Sequence, residues 1–259
     1  MKKYIRVWLQ LTKNAFTSIL SNRIDGVSYT LGKLVRFGFF LLLIQSIFIQ
    51  RNDFLGYSKE ETFLFFLTYN LVDVLGTAFF RGIYVFKHDI SRGNFDTLLI
   101  KPINPLFYIL SRLTDILDFI FLIPIVFLLI QTILHIGTTI PHIMLYILFV
   151  FVSMLIVLAI HVVTAALTIR NTESDNVIWL YRETMTLGRF PPEIFPPLVQ
   201  FVFTFIIPIV VVVAFPTKIL LGKLPPDIAL TAIATGIVFF ILSIQFWKKS
   251  IKKYSSASS

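Results

Sequence analysis

The chain has 259 residues, of which 56% are hydrophobic and 14% charged, with a formal net charge of +9 and no cysteine. A soluble domain of ordinary composition carries about 25% charged residues. Without cysteine there is no disulfide framework, thiol chemistry or thiolate metal site.

The apolar residues fall in six long blocks, at about 34–49, 62–80, 113–134, 143–168, 198–215 and 228–247. A bilayer is crossed by about 20 mostly apolar helical residues, so the blocks predict an all-α integral membrane protein with six transmembrane helices. The alternative is a soluble all-α protein, but six helices apolar all round have no place in a soluble core. With no soluble domain and no internal repeat, residues 1–259 read as a single membrane domain.

Residues 1–22 precede the first block and are amphipathic. Lys3, Arg6, Gln10, Lys13 and Thr17 recur at steps of three and four, with Ile5, Trp8, Leu9 and Phe16 largely opposite. This pattern predicts a helix lying in the membrane surface; an ordinary solvated helix is the alternative. A continuous apolar h-region is lacking, so a cleaved signal peptide is not expected. Asp25-Gly26 predicts a turn into the first span.

The second span contains Asn70 and Asp73. A mid-membrane Asp costs about 2.5–3.5 kcal/mol on insertion scales, and the Phe, Leu and Val residues of the span together return about 3–7 kcal/mol. The helix can therefore insert, with its carboxylate facing protein or water rather than lipid. Asn70 and Asp73 are candidates for a substrate path or a helix interface, as is His161 in the fourth span. A hydrogen bond satisfied within the bundle is the competing reading for Asp73 and His161.

Between spans two and three lies RGNFDTLLIKPINPLFYILSR, a compact charged segment in an apolar chain. Asn94 is predicted as an N-cap, with Asp96 in the first turn beside the helix dipole. Phe95, Leu98 and Leu99 make one apolar face. Pro102 disfavours helix at Lys101 and ends the element, and Asn104-Pro105 reads as a second cap with Pro at N1. A two-turn helix does not hold itself by propensity. Its apolar face must pack, either on the protein's own cytoplasmic ends or on a soluble partner.

Asp115 and Asp118 share a face at the start of span three; the two readings are an acid pair and interfacial charges beside Arg112, which is placed to pair with Asp115 at i, i+3. Pro124 and Pro208 invite kinks in spans three and five. The short fifth span runs into AFPTKILLGKLPP, which predicts a dip back into the outer leaflet. Trp247-Lys248-Lys249 closes the sixth span as an interfacial anchor, and SSASS reads as a disordered end.

If six spans leave both termini inside, 19 Lys and Arg lie on one side and four on the other. In this count Arg170, Arg182 and Arg189 occupy the loop between spans four and five. The asymmetry follows the positive-inside rule. It assigns the basic excess to topology and anionic membrane lipid, with no nucleic acid as partner. The termini and RGNFDTLLIKPINPLFYILSR are then cytoplasmic.

Motifs for catalysis are absent: the sequence has no His-Glu-x-x-His pair and no Gly-x-Ser-x-Gly elbow. GVSYTLGKL fails as a phosphate loop, with five residues between its glycines and Leu34 where a hydroxyl must meet Mg²⁺.

Residues 93–105, GNFDTLLIKPINP, resemble the G-x-x-D-x-L-L-x-(K/R)-P-x-x-P signature of bacterial type-two ATP-binding-cassette (ABC) permeases. GRFPPEIFP at 188–196 and the following FIIPIVVVVAFPTKILLGK resemble the same family's Pro-rich entry to the fifth span and its outer turn. The resemblance implies the membrane subunit of an exporter in the bacterial plasma (inner) membrane, paired with a second permease that is identical or homologous. It implies that Arg92, Gly93, Asn94, Phe95, Asp96, Leu98, Leu99, Lys101, Pro102 and Pro105 form or flank a coupling helix seated on a separate ATPase subunit. No cofactor is then expected in this chain, ATP and Mg belonging to that partner. Two other readings stand beside it: a membrane scaffold or sensor whose cytoplasmic loops bind a signalling protein, and an intramembrane enzyme using Asp73 or His161.

Overall fold

The computed structural model describes residues 2–21, 23–171 and 175–254; the SSASS end lies outside them. All regular elements among these residues are helices. Within a bilayer a helix satisfies its own backbone groups, which water cannot do there.

The first helix, α1 (Lys2–Ser21), lies against the coupling segment. Tyr4 meets Phe107 edge-on at 5.0 Å, Trp8 stacks over Phe79 at 6.4 Å, and Lys3 Nζ donates to the Pro102 carbonyl. The second, α2 (Arg23–Gln50), runs straight through Asp25 and Gly26, where the sequence predicts a turn. Its apolar surface is mostly exposed.

A tight turn with Leu55 and Gly56 both left-handed leads into α3 (Lys59–Phe80). Ser58 and Glu61 close a capping box on that helix, each side chain accepting from the other's backbone N–H. The helix is buried along most of its length. A 3₁₀ turn at Arg81–Val85 separates it from α4 (Phe86–Ser91). Then come α5 (Asn94–Leu99), α6 (Pro105–Ser111), α7 (Ile116–Ile136) and α8 (Ile140–Arg170). Pro124 sits inside α7 without ending it.

The next stretch departs from the predicted cytoplasmic loop. It comprises α9 (Asp175–Met185) and short 3₁₀ turns at Thr186–Arg189 and Pro192–Ile194. Trp179 meets Tyr84 at 5.4 Å. Further on, Arg189 lies over Tyr69 at 4.9 Å, and Phe190 touches Phe54 at 6.0 Å. Glu193 accepts from the Tyr57 hydroxyl at 3.2 Å. These contacts track α3 from the 3₁₀ turn after its end to the turn before its first residue. Residues 175–194 therefore traverse the whole bundle.

The block predicted as span five is a broken pair. Residues Pro197–Phe205, comprising α10 (Pro197–Phe201) and the start of a π turn, meet α11 (Ile209–Leu220) at 98°. Pro208, which has no N–H to donate, stands at the break. Beyond α11, Lys223 pairs with Glu61 at 2.7 Å. The pair thus enters and leaves at the Tyr57 end, consistent with the predicted dip but beginning earlier in the chain. Finally α12 (Pro226–Ile251) returns to the coupling end. Among the described residues, five helical segments are long and apolar enough to cross a membrane: α2, α3 with α4, α7, α8 and α12.

Candidate functional site

At the coupling end, Gly93 adopts φ 70° and stands as the N-cap of α5. Asn94 is the first helical residue, so the predicted Asn94 cap is displaced by one position. Glycine suits the left-handed turn here because it has no Cβ to clash. Phe95 is 0% and Leu98 5% exposed, so most of the predicted apolar face packs inward. The Phe95 ring lies edge-on to Phe86 at 5.2 Å and to Tyr254 at 4.9 Å. Burial, reinforced by Asp96, pushes the Tyr254 hydroxyl up to about 12. Leu98 joins the same cluster as Val162 and Ala166 of α8 and Trp247 of α12. Burying one such side chain contributes about 1.5–3 kcal/mol, enough to hold a helix too short to persist alone.

What α5 leaves outside is its tip. Ile100 is 84% and Leu99 37% exposed, flanked by exposed Lys101, Pro102 and Arg92. Asn104 Oδ1 accepts from the backbone of Leu106 and Phe107, at 2.9 and 3.3 Å, fixing the predicted restart at Pro105. Ion pairs tie the segment to the bundle in an unpredicted pattern. Arg112 pairs with Asp89 rather than with Asp115. Asp115 pairs with Arg81 and caps α7 through Leu117 N at 2.9 Å, and Asp118 pairs with Lys33 of α2.

A second polar region opens between α2, α3 and α9, as a cleft of about 640 Å³. Lys33, Arg36, Arg81 and Arg182 line it with Tyr29, Tyr69 and Tyr84. Lys33 and Arg81 both lie over the Tyr29 ring, at 4.7 and 4.8 Å, a cation–π arrangement that supports charge away from bulk water. Asp73 sits on the same stripe of α3 as Tyr69, and its charge reaches Tyr69, Tyr84, Tyr181 and Arg182.

The family model described as ABC-2 family transporter protein matches residues 34–258. The chain belongs to the ABC-2 transporter family. It is a multi-pass membrane protein, and its family supplies the membrane component of ABC transporters. No curated protein matches it.

In this ABC-2 transporter chain the three polar residues predicted within the spans take different places. Asp73 lies outside the cleft lining, one helical turn from Tyr69, with its charge acting on Tyr69 and Arg182. Asn70 donates its side-chain amide to the Phe66 carbonyl at 2.7 Å, a bond within its own helix. His161 is buried, its Nδ1 against the Val157 carbonyl at 2.7 Å and its ring between Phe80 and Tyr181. His161 thus packs behind α9, outside the cleft lining. The sequence reading missed Lys33, Arg36, Arg182 and Arg189 as a group. It placed the last two in a loop, and only the path of 175–194 along α3 brings them beside Asp73 and Tyr69. Among the described residues no group of His, Asp and Glu is arranged to hold a metal ion.

Proposed function

We propose that this chain is the membrane-spanning permease subunit of an ATP-driven exporter in the bacterial plasma membrane. It pairs with a second permease, identical or homologous, and two separate ATPase subunits bind ATP and Mg. The observation that carries this reading is the division of labour in α5. Phe95 and Leu98 are locked into the ends of α8 and α12, while Leu99 and Ile100 project outward. A helix held so on one side and bare on the other transmits displacement. When the ATPases close on nucleotide they would move α5, and the packed cluster would carry that motion into α8 and α12. The bundle then alternates between inward- and outward-open arrangements, a rigid-body switch between two packings.

The test is Leu99→Asp with Ile100→Asp, co-expressed with the candidate ATPase. Both positions are exposed, so the variant inserts and purifies as the parent does. Co-purification of the ATPase and substrate-stimulated ATP hydrolysis are expected to be lost. Normal assembly and normal export by this variant would exclude the docking role. Leu98 is unsuited to the test, since a buried Asp there disrupts the fold itself.

A further inference from the structure

The basic cleft contains more positive charge than its carboxylates match. Lys33 and Arg81 pair with Asp118 and Asp115, and Arg182 lies in the field of Asp73. Glu183, the carboxylate within the lining itself, is exposed beside Arg182. Arg36, in the lining, and Arg189, which reaches the lining's Tyr69, have no ion-pair partner among the described residues.

Both arginines flank Tyr69: Arg36 lines the same cleft as Tyr69, and Arg189 reaches its hydroxyl. Arg189 Nη2 donates to the Tyr69 hydroxyl at 3.3 Å, and the charge of Arg36 also acts on Tyr69. Arg189 lies over the rings of Phe40 and Tyr69 at 4.3 and 4.9 Å, and its Nε is buried without a partner among the described residues. Tyr69 stands midway along α3 and Arg36 midway along α2. Cations at such depth mark the path of a ligand or ion more often than they serve stability.

We propose that Arg36 and Arg189, with the Tyr69 hydroxyl between them, bind the phosphate headgroup of an anionic amphiphile. Two guanidinium forks and a hydroxyl offer more donors than the two oxygens of one carboxylate use, and they suit a phosphate. Lys33, Arg81 and Arg182 line the approach from the coupling end. Val35 and Phe39, exposed on either side of Arg36, give the hydrocarbon tail an apolar surface. The proposal rests on the permease reading and assigns its cargo class.

The test uses the purified full-length chain without any ATPase, incubated with equal amounts of dimyristoyl phosphatidylglycerol and phosphatidylcholine. Native mass spectrometry then counts the retained lipid. Phosphatidylglycerol is expected to be retained in preference, and Arg36→Gln with Arg189→Gln to weaken that retention about tenfold or more. Lys252→Gln with Lys253→Gln, in the terminal tail, leaves it unchanged. Should the double arginine variant fail to fold, Arg36→Gln alone, at an exposed position, gives the same readout. Competition by inorganic phosphate assigns the site to phosphate groups in general, soluble organophosphates included. Retention without competition assigns it to the lipid headgroup. Equal retention of the two lipids, or an undiminished preference in the folded arginine variants, overturns the proposal. Because no ATPase is present, that result leaves the docking role of Leu99 and Ile100 standing.

Discussion

Lys33 and Asp118 are paired across α2 and α7 with side chains 8% and 1% exposed. Taking two charges out of water costs several kcal/mol per ion, and their mutual attraction repays it only while both are present. Lys33→Met should therefore destabilise the protein by about 3–5 kcal/mol, leaving a buried carboxylate unmatched, with Asp118 Oδ2 already unpartnered among the described residues. Lys33→Met with Asp118→Leu should recover most of that loss, since an apolar pair of similar volume is often neutral there. Thermal unfolding of the detergent-purified proteins reads the difference, and equal losses in both variants would show that the pair is not the cause. Such pairs were not legible in the sequence. Lys33 and Asp118 are 85 residues apart, and the local rule that matched Arg112 with Asp115 failed because tertiary packing offered each a different partner. The apolar face of α5 was legible, because spacing alone puts Phe95 and Leu98 on one side of a helix.

At the scale of elements, the break between α3 and α4 is the joint through which the coupling end meets the bundle. Gly82 occupies it because nothing larger fits. A Cβ there would lie 1.9 Å from the Ile109 carbonyl oxygen and 2.9 Å from Arg112 Cγ. Neither the backbone of α6 nor the Arg112–Asp89 pair can give way without moving α5. Gly82→Ala should lower both folded yield and thermal stability. Gly38→Ala is the matched control: it lies inside α2 with nothing within 4 Å of its Cβ. That change should be neutral or stabilising by up to about 1 kcal/mol, as replacing glycine within a helix generally is. Equal behaviour of the two variants would mean that the close approach at Gly82 is not needed. The caps at Ser58 and Asn104 also set joints. Asn104-Pro105 could be read from residue types, whereas the length of α6 before α7 could not. It depends on Asp115 restarting the helix while paired with Arg81.

For the molecule as a whole, hydropathy found the long apolar helices α2, α3, α7, α8 and α12, and put its fifth span on the pair broken at 98°, while 175–194 runs along α3. It chose 198–215 for its apolar run and passed over 175–194, which carries Arg182, Glu183, Arg189 and two prolines, Pro191 and Pro192. A transfer scale treats each residue as if it faced lipid. Here Arg189 faces Tyr69 and Phe40, and Glu193 faces Tyr57 and Lys218, the last at 2.6 Å. Burial next to Glu193 accordingly raises the Tyr57 hydroxyl well above its ordinary range, keeping it a donor. Moving Arg36, Arg182 and Arg189 into the bundle reduces the one-sided count of basic residues from 19 to 16, against four, so the positive-inside orientation survives. The two topologies differ in where residue 194 emerges. The chain has no cysteine, so single cysteines can be introduced without background. Ile194→Cys, at an exposed position, should react with a membrane-impermeant maleimide from the same side as Asn52→Cys in the turn before α3. Ile100→Cys, on the tip of the coupling segment, should react only from the opposite side. Were Ile194→Cys labelled together with Ile100→Cys instead, residues 175–194 would be a loop on the coupling side. The bundle would then cross at 198–215, and Arg189 could not stand beside Tyr69 within it.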